Sequence, residues 1–196
     1  KILDDKIPPN FRTKHWFAIS KRFRIIFYNP EVVDIDELAS LDYIDLSDKK
    51  WNKSLLIRSS NNVYNQSMVA HIIENHGEKK AKEWVKGIVR NMYRSPQGND
   101  RAQILGVAAK EGKLAIANTY YYSLMLSGKK GEEQKIAAKK VLPFFPGQKS
   151  DGSHINVSGA GILKHSPNKQ NAIKFLEFLL SDEAQKHMVD NTFEYP

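Results

Sequence analysis

The amino-acid sequence predicts an α/β fold, because segments with strand character alternate with segments of helical periodicity along most of its 196 residues. The strand-like segments are short and rich in aromatic and β-branched residues. The helix-like segments place apolar residues three and four positions apart, and several of them end at glycine. This alternation is typical of a largely parallel or mixed sheet that is covered by helices.

The first sixty residues are predicted to contain three short strands, one short helix and loops. Residues 15–20 (HWFAIS) and 23–28 (FRIIFY) are interpreted as two strands joined by a basic turn at Lys21-Arg22, and Pro30 ends the run. The other predictions before residue 60 are, in chain order, an extended or loop segment at 1–10, a short helix near 36–41 and a buried strand at 55–58.

Beyond residue 60, helices and strands are predicted to alternate. Met68, Val69, Ile72 and Ile73 recur at helical spacing within residues 65–76, and Gly77 supplies the stop. The same criteria predict a helix at 78–92, a helix at 101–109 capped by Asp100, a strand at 113–118, a helix capped by Thr119, strands at 141–145 and 155–163, a helix over 172–179 and a last helix capped by Ser181.

The composition excludes several kinds of site. The chain has no cysteine, so a disulfide framework, a zinc ribbon, an iron–sulfur site and a cysteine nucleophile are ruled out. Its uncharged apolar runs are far shorter than the ~20 residues of a membrane helix. The spacing of the six histidines disfavours a zinc site. The formal net charge of +8 favours an anionic partner without choosing among nucleic acid, lipid and acidic protein.

The most distinctive motif is Tyr120-Tyr121-Tyr122, which directly follows a predicted buried strand. Aromatic packing explains such a cluster adequately. Its position suggests more, because ligands of open α/β sheets bind beyond the carboxyl ends of strands. Two phenols aimed at one point suit a hard, highly charged cation such as ferric iron, since such a charge is needed to ionise tyrosine near neutral pH.

A second candidate site is residues 58–67 (RSSNNVYNQS). Ser60, Asn61 and Asn62 precede a predicted helix, where they could simply cap it or could bind an anion. Arg24 and Arg58 lie in or at the end of predicted strands, and a buried arginine would require an anionic partner. An exposed position at a strand edge is the alternative for both arginines.

Several segments together resemble the periplasmic ferric-iron-binding proteins of bacterial iron ABC transporters, in particular their tyrosine-rich type. The similar segments follow the expected order over essentially the whole chain. They are RSSNNVYNQS, SPQGNDRAQ, IANTYYY, FFPGQ, GSHINVSGAGILKHSPN, NAIKFLEFLLSDEAQ and FEYP. The resemblance implies the type II periplasmic-binding-protein fold, in which ferric iron is held between two lobes and delivered to a permease of the inner membrane.

The resemblance also implies roles for individual residues. Tyr120 and Tyr121 match the paired iron ligands of the family, and Tyr64 matches a third tyrosine ligand. Tyr122 is then expected to pack in the core. Arg24 matches an arginine that supports the site from behind the ligands. The implied protein is a periplasmic monomer that neither spans a membrane nor binds nucleic acid, and it is not an enzyme.

The resemblance further implies that the chain holds one complete lobe and part of the second. We expect residues 1–23 to be a partial first lobe with a hinge strand, 24–146 the second lobe, and 147–196 an incomplete return into the first. No signal peptide is visible, and the N-terminal segment with further ligands and the C-terminal tail of the family are expected to lie outside this sequence. We therefore expect the 196-residue chain alone to bind Fe³⁺ weakly or not at all.

Three other functions stay open at the level of sequence. The basic chain could be an interaction module for nucleic acid or an anionic membrane, although its lysines are mixed with acidic residues. It could carry another small solute, although such a solute would not require three phenols on one wall of the binding cleft. As an enzyme it would offer only Tyr121 with Arg58 as an acid–base pair.

Overall fold

The structure, a computed structural model, describes residues 6–196, which divide into two compact units. One unit comprises Phe23–His154, and the other comprises the described residues up to Arg22 together with Ile155–Pro196. The assignment of these units to lobes, with the predicted boundaries, stays a prediction. Of the helices formed by residues 6–196, none has both the length and the apolar composition needed to cross a membrane.

The larger unit is built on a mixed four-stranded sheet with the order β2-β3-β1-β4. Strand β2 pairs with β3 in parallel, whereas β1 pairs with β3 and β4 antiparallel. The predicted mixed α/β class is therefore confirmed. The strands are β1 (Phe17–Tyr28, of which the part from Phe23 belongs to this unit), β2 (Leu55–Leu56), β3 (Leu114–Asn118) and β4 (Leu142–Phe144).

Helices cover both faces of this sheet, because its central strands are apolar on both sides. In β1, Ile26 and Tyr28 enter one cluster of buried side chains, whereas Ile25 and Phe27 enter the other, as the two-residue period of a strand requires. The helices of this unit are α1 (Val63–Asn91), α2 (Asp100–Ala108), α3 (Thr119–Leu126) and α4 (Glu132–Ala138), with 3₁₀ turns at Ile35–Glu37, Ile44–Ser47 and Lys49–Trp51.

The two strands predicted at residues 15–20 and 23–28 are one continuous strand, β1, so the basic turn predicted between them is wrong. Lys21 and Tyr195 exchange backbone hydrogen bonds of 2.8 Å, which extends the pairing through the supposed turn. The Arg22 guanidinium donates to Ser158 Oγ at 2.7 Å. Partners distant in sequence thus keep two charged residues in an extended strand.

Other elements were predicted with small errors at their ends. Helix α1 contains the predicted break, since Gly77 has φ +78° and ψ 161° between two helical halves. The cap predicted for the next helix is wrong, because Asn99, not Asp100, accepts the backbone N–H groups at the start of α2. The strand predicted at 55–58 is limited to the two residues of β2.

The smaller unit has a modest core of its own. Its strand β5 (Ile155–Ala160) pairs with β1, and Leu176 and Leu180 pack with Ile7 and Phe17. Its helices are α5 (Lys169–Leu179) and α6 (Asp182–Thr192), with a 3₁₀ turn at Pro9–Phe11. The predicted cap of the last helix is confirmed, because Ser181 Oγ accepts from Ala184 N. Half of the extended segment predicted at 1–10, residues 1–5, lies outside the described residues.

Candidate functional site

Three tyrosines come together at the carboxyl end of β3. Helix α3 follows β3 without a linker, so Tyr120 and Tyr121 lie in its first turn, and their ring centroids are 4.1 Å apart with an interplanar angle of 31°. The Tyr120 hydroxyl is in hydrogen-bonding contact with the hydroxyls of Tyr121 and Tyr64. The structure therefore places together the three residues that the resemblance selects as metal ligands, while their role as ligands stays a prediction.

Tyr64 reaches this cluster from the first turn of α1. Asn62 caps that helix by accepting the Tyr64 backbone N–H at 3.0 Å, which fixes where the tyrosine leaves the helix. The N-terminal end of a helix stabilises negative charge, including that of a phenolate. The local sequence thus places a third phenol in the first turn of a helix, beside the other two.

The surroundings of Tyr120 favour its neutral phenol in the absence of a strong positive charge. Burial raises the pKa of Tyr120 far above its usual value, and hydrogen bonds with Tyr121 and Tyr64 raise this pKa further. A trivalent cation would reverse this preference, because a bound metal ion lowers the pKa of its ligands. Loading of such a cation would therefore release protons from the phenols.

A buried ion-pair network lies beside the tyrosines. Arg24 is completely buried, and its Nη1 donates to Asp100 Oδ2 at 3.0 Å and to Asn118 Oδ1 at 3.2 Å. Its Nη2 donates to Asn65 Oδ1. The anionic partner that the sequence required for a buried arginine is thus Asp100, which is itself completely buried.

Arg58 joins the network on its more exposed side. Its Nη1 lies 3.3 Å from Asp100 Oδ1, and its guanidinium carbon lies 6.0 Å from the centroid of the Tyr64 ring. Two guanidinium groups therefore share one carboxylate, which leaves one net positive charge in the network that adjoins the tyrosines. A positive charge at this place favours ionised phenols. Neither Arg24 nor Arg58 is an exposed edge residue, so that alternative is wrong for both.

The remaining predicted residues have mixed outcomes. Asn62 is the N-cap of α1, whereas Ser60 and Asn61 are exposed. Their proposed binding of an anion stays a prediction. Tyr122 turns away from the cluster, since its hydroxyl donates to Val141 O at 2.8 Å and its ring centroid lies 5.1 Å from that of Phe27. The packing role predicted for Tyr122 is therefore confirmed.

Sequence reasoning missed Asp100, Asn65 and Asn118 as members of the network. Asp100 was interpreted as a helix cap, although it lies inside α2 and binds Arg24 and Arg58. One signal was available, because an arginine in an apolar strand requires a buried anion somewhere in the chain. Nothing in the sequence indicates which acidic residue supplies it. Among residues 6–196, no group of three or more His, Asp or Glu side chains is arranged to hold a metal ion.

Comparison with known families matches almost the entire chain. Residues 3–196 match the model of a family described as bacterial extracellular solute-binding proteins. The chain is 44% identical over 198 residues to iron uptake protein A1 of Synechocystis sp., and the match covers 100% of this chain and 54% of that protein. The chain thus spans about half the length of the curated relatives that it matches.

Solved structures with the same fold include proteins described as iron-binding. One is a Trichodesmium protein (IdiA, FutA) in complex with iron and citrate ligands, with a TM-score of 0.94 and 47% identity, covering 100% of this chain and 62% of that one. Another is the ferric binding protein from Campylobacter jejuni, with a TM-score of 0.92 and 39% identity at the same coverage. The predicted fold, one shared with periplasmic ferric-binding proteins, is confirmed by these similarities.

Proposed function

Because the chain belongs to the bacterial extracellular solute-binding proteins, we propose that it carries the tyrosine ligands of a ferric-iron site in an iron-uptake protein. The observation that carries the proposal is that Tyr120 forms side-chain hydrogen bonds with both Tyr121 and Tyr64. Hard phenolate oxygens suit a hard trivalent cation. The names of similar proteins, iron uptake protein and ferric binding protein, support the same cargo.

The proposed protein works by capture and release, without catalytic turnover. Iron is its cargo, the periplasm is its location, and the permease of an ABC transporter is its partner, to which it delivers the metal as a monomer. The network of Arg24, Asp100 and Arg58 would offset part of the phenolate charge when iron is bound. These assignments rest on the family and on the relatives named above.

Titration with ferric citrate tests this function. The wild-type chain is expected to develop the visible absorption of iron–phenolate coordination, with weak apparent affinity. Replacing Tyr120 and Tyr121 with Phe removes two ligand oxygens and keeps the rings. Loss of a group that supports the ligands typically lowers metal affinity 10- to 100-fold, and loss of a ligand should cost at least as much. Each single variant should therefore bind iron at least about 10-fold more weakly, and the double variant should show no absorption band.

The matched control is Tyr93→Phe, because Tyr93 is 47% exposed and lies in the loop after α1. This variant should retain the wild-type absorption at every iron concentration. Circular dichroism and thermal unfolding verify that the variants are folded. An absorption band that persists in the folded double variant would contradict the proposed function.

A further inference from the structure

Asp100 contacts the supports of both tyrosine-bearing segments. We propose that it is a positioning residue, which holds Tyr64 on one side and Tyr120 with Tyr121 on the other at the separation that a trivalent cation requires. This inference rests on the proposed function. It concerns a residue that is no ligand itself, because both carboxylate oxygens already accept hydrogen bonds from protein donors.

The first contact leads from Asp100 to Tyr64. Asp100 Oδ1 lies 3.3 Å from Arg58 Nη1, and the Arg58 guanidinium lies over the Tyr64 ring at 6.0 Å. A guanidinium over the face of an aromatic ring is attracted electrostatically to that ring. The carboxylate therefore decides where this cation lies relative to Tyr64.

The second contact leads from Asp100 to the tyrosine pair. Asp100 Oδ2 accepts the backbone N–H of Asn118 at 2.8 Å, and Asn118 is the last residue before α3. Tyr120 follows two residues later, so the start of its helix is tied to the same carboxylate. One carboxylate oxygen of Asp100 thus contacts Arg58, which lies over Tyr64, and the other contacts Asn118, which precedes the tyrosine pair.

Arg24 closes the network between these two contacts. Its Nη1 binds Asp100 Oδ2, and its Nη2 donates to Asn65, the neighbour of Tyr64 in the chain. Asn65 in turn donates to the backbone oxygens of Arg58 at 2.7 Å and Ser59 at 3.1 Å. The loop before α1 is therefore fixed to the same buried charge pair as the start of α3.

The burial of this network explains why its geometry is rigid. Arg24 and Asp100 are both completely buried, so neither can exchange its partner for water without exposing an unpaired charge. Their hydrogen bonds are charge-assisted, which makes them shorter and stronger than neutral ones. A ligand set held this way is preorganised, as binding and catalytic geometries require.

The test compares Asp100→Asn with the control Glu111→Gln. Asparagine keeps the size of Asp100 but removes its charge and replaces one acceptor with a donor. Glu111 also pairs with an arginine, Arg94, at 3.2 Å, but this pair is more exposed and touches no tyrosine segment. Both variants lose an ion pair, and only Asp100→Asn should disturb the tyrosine cluster.

Two measurements on the full chain separate positioning from a merely structural role. In the metal-free protein with ¹³C-labelled tyrosine rings, the NMR signals of Tyr64, Tyr120 and Tyr121 should move in Asp100→Asn, while those of Tyr93 and Tyr195 stay in place. With ferric citrate, the visible band should shift in wavelength and the apparent affinity should fall about 10- to 100-fold. Glu111→Gln should change neither measurement.

The outcomes are distinguishable from failure of the proposed function. If the iron band persists in the folded double variant of Tyr120 and Tyr121, the proposed function fails, and the NMR comparison of the metal-free proteins still decides the role of Asp100. If Asp100→Asn does not fold, Arg58→Gln replaces it, and this variant should move the Tyr64 signal more than those of Tyr120 and Tyr121. Unchanged tyrosine signals in a folded Asp100→Asn variant overturn the inference.

Discussion

Arg24 illustrates how a single charged residue is accommodated in an apolar strand. Burial lowers the pKa of its guanidinium, and the adjacent Asp100 carboxylate offsets this effect. Removing one member of such a buried pair typically costs 3–5 kcal/mol, because the other charge remains without its partner. The residues beside the tyrosines therefore support the fold as well as the proposed iron site.

Histidines form a second polar cluster in the larger unit, between α1 and the segment before β5. The His154 ring lies 5.1 Å from that of His71, and its Nε2 is 3.0 Å from Ser67 Oγ. Burial, His71 and Arg24 together lower the pKa of His154 to about 4. The other ionisable groups around this pair are Tyr43, Asp42, His76 and Asp151, and His76 Nε2 lies 3.1 Å from Asp151 Oδ2.

This histidine predicts a pH dependence of stability. An unfolded histidine has a pKa of about 6.5. Between about pH 6.5 and 4, this histidine is therefore protonated in the unfolded chain but neutral in the folded one. The free energy of unfolding should therefore fall as the pH drops through this window. In the wild type, the free energy of unfolding measured in urea should be lower at pH 4.5 than at pH 7. His154→Gln should reduce this difference by roughly 2–3 kcal/mol.

The control for His154→Gln is a histidine that is much less buried than His154. His187 is exposed on α6, and His187→Gln should retain the wild-type difference between the two pH values. Carboxylates also titrate in this range, so the informative quantity is the difference between each variant and the wild type. A wild-type pH profile in His154→Gln would contradict the assignment.

At the scale of elements, the break in α1 depends on Gly77. Its φ of +78° and ψ of 161° fall in a region that is essentially reserved for glycine. A methyl group added at Gly77 meets nothing within 4 Å, so the backbone conformation alone opposes a side chain. Both helical halves contribute buried side chains to the same core cluster, with Met68 and Ile72 before the break and Ala81, Trp84 and Ile88 after it.

Gly77→Ala should therefore destabilise the larger unit by about 1–3 kcal/mol. Urea unfolding should show a lower midpoint with an unchanged slope, because the surface exposed on unfolding stays the same. Lys79→Ala is the control, since Lys79 is exposed on the same helix and its replacement should change stability by less than about 0.5 kcal/mol. Equal midpoints for Gly77→Ala and the wild type would refute this explanation.

At the scale of the whole molecule, the two units differ in how much they bury. The larger unit buries side chains on both faces of its sheet, whereas the described residues of the smaller one form a core cluster of only Ile7, Phe17, Leu176 and Leu180. In α5, Phe175 and Phe178 remain 58% and 50% exposed. Since resistance to opening follows buried apolar contact, the smaller unit should open more readily.

Hydrogen exchange measures this difference directly. The amides of β3 and of the paired part of β1 should exchange most slowly, and those of α5 and α6 should exchange at least about 10-fold faster. The comparison within one chain supplies its own control, because solvent, pH and temperature are shared. Equal protection of the two sets of amides would show that the chain opens only as a whole.

The sequence by itself determined the class of the fold, most helices and the residues of the tyrosine cluster. Helical periodicity predicted both halves of α1, and position after a strand singled out the Tyr120-Tyr121-Tyr122 motif, because these signals lie within a few neighbouring residues. The resemblance to ferric-iron-binding proteins then selected Tyr120, Tyr121 and Tyr64. Tertiary structure decided the rest. Lys21 and Arg22 lie in a strand because residues 158, 194 and 195 provide their partners, and Asp100 binds Arg24 across 76 positions. Such partners are brought together only by the folded chain, so no local pattern in the sequence could identify them.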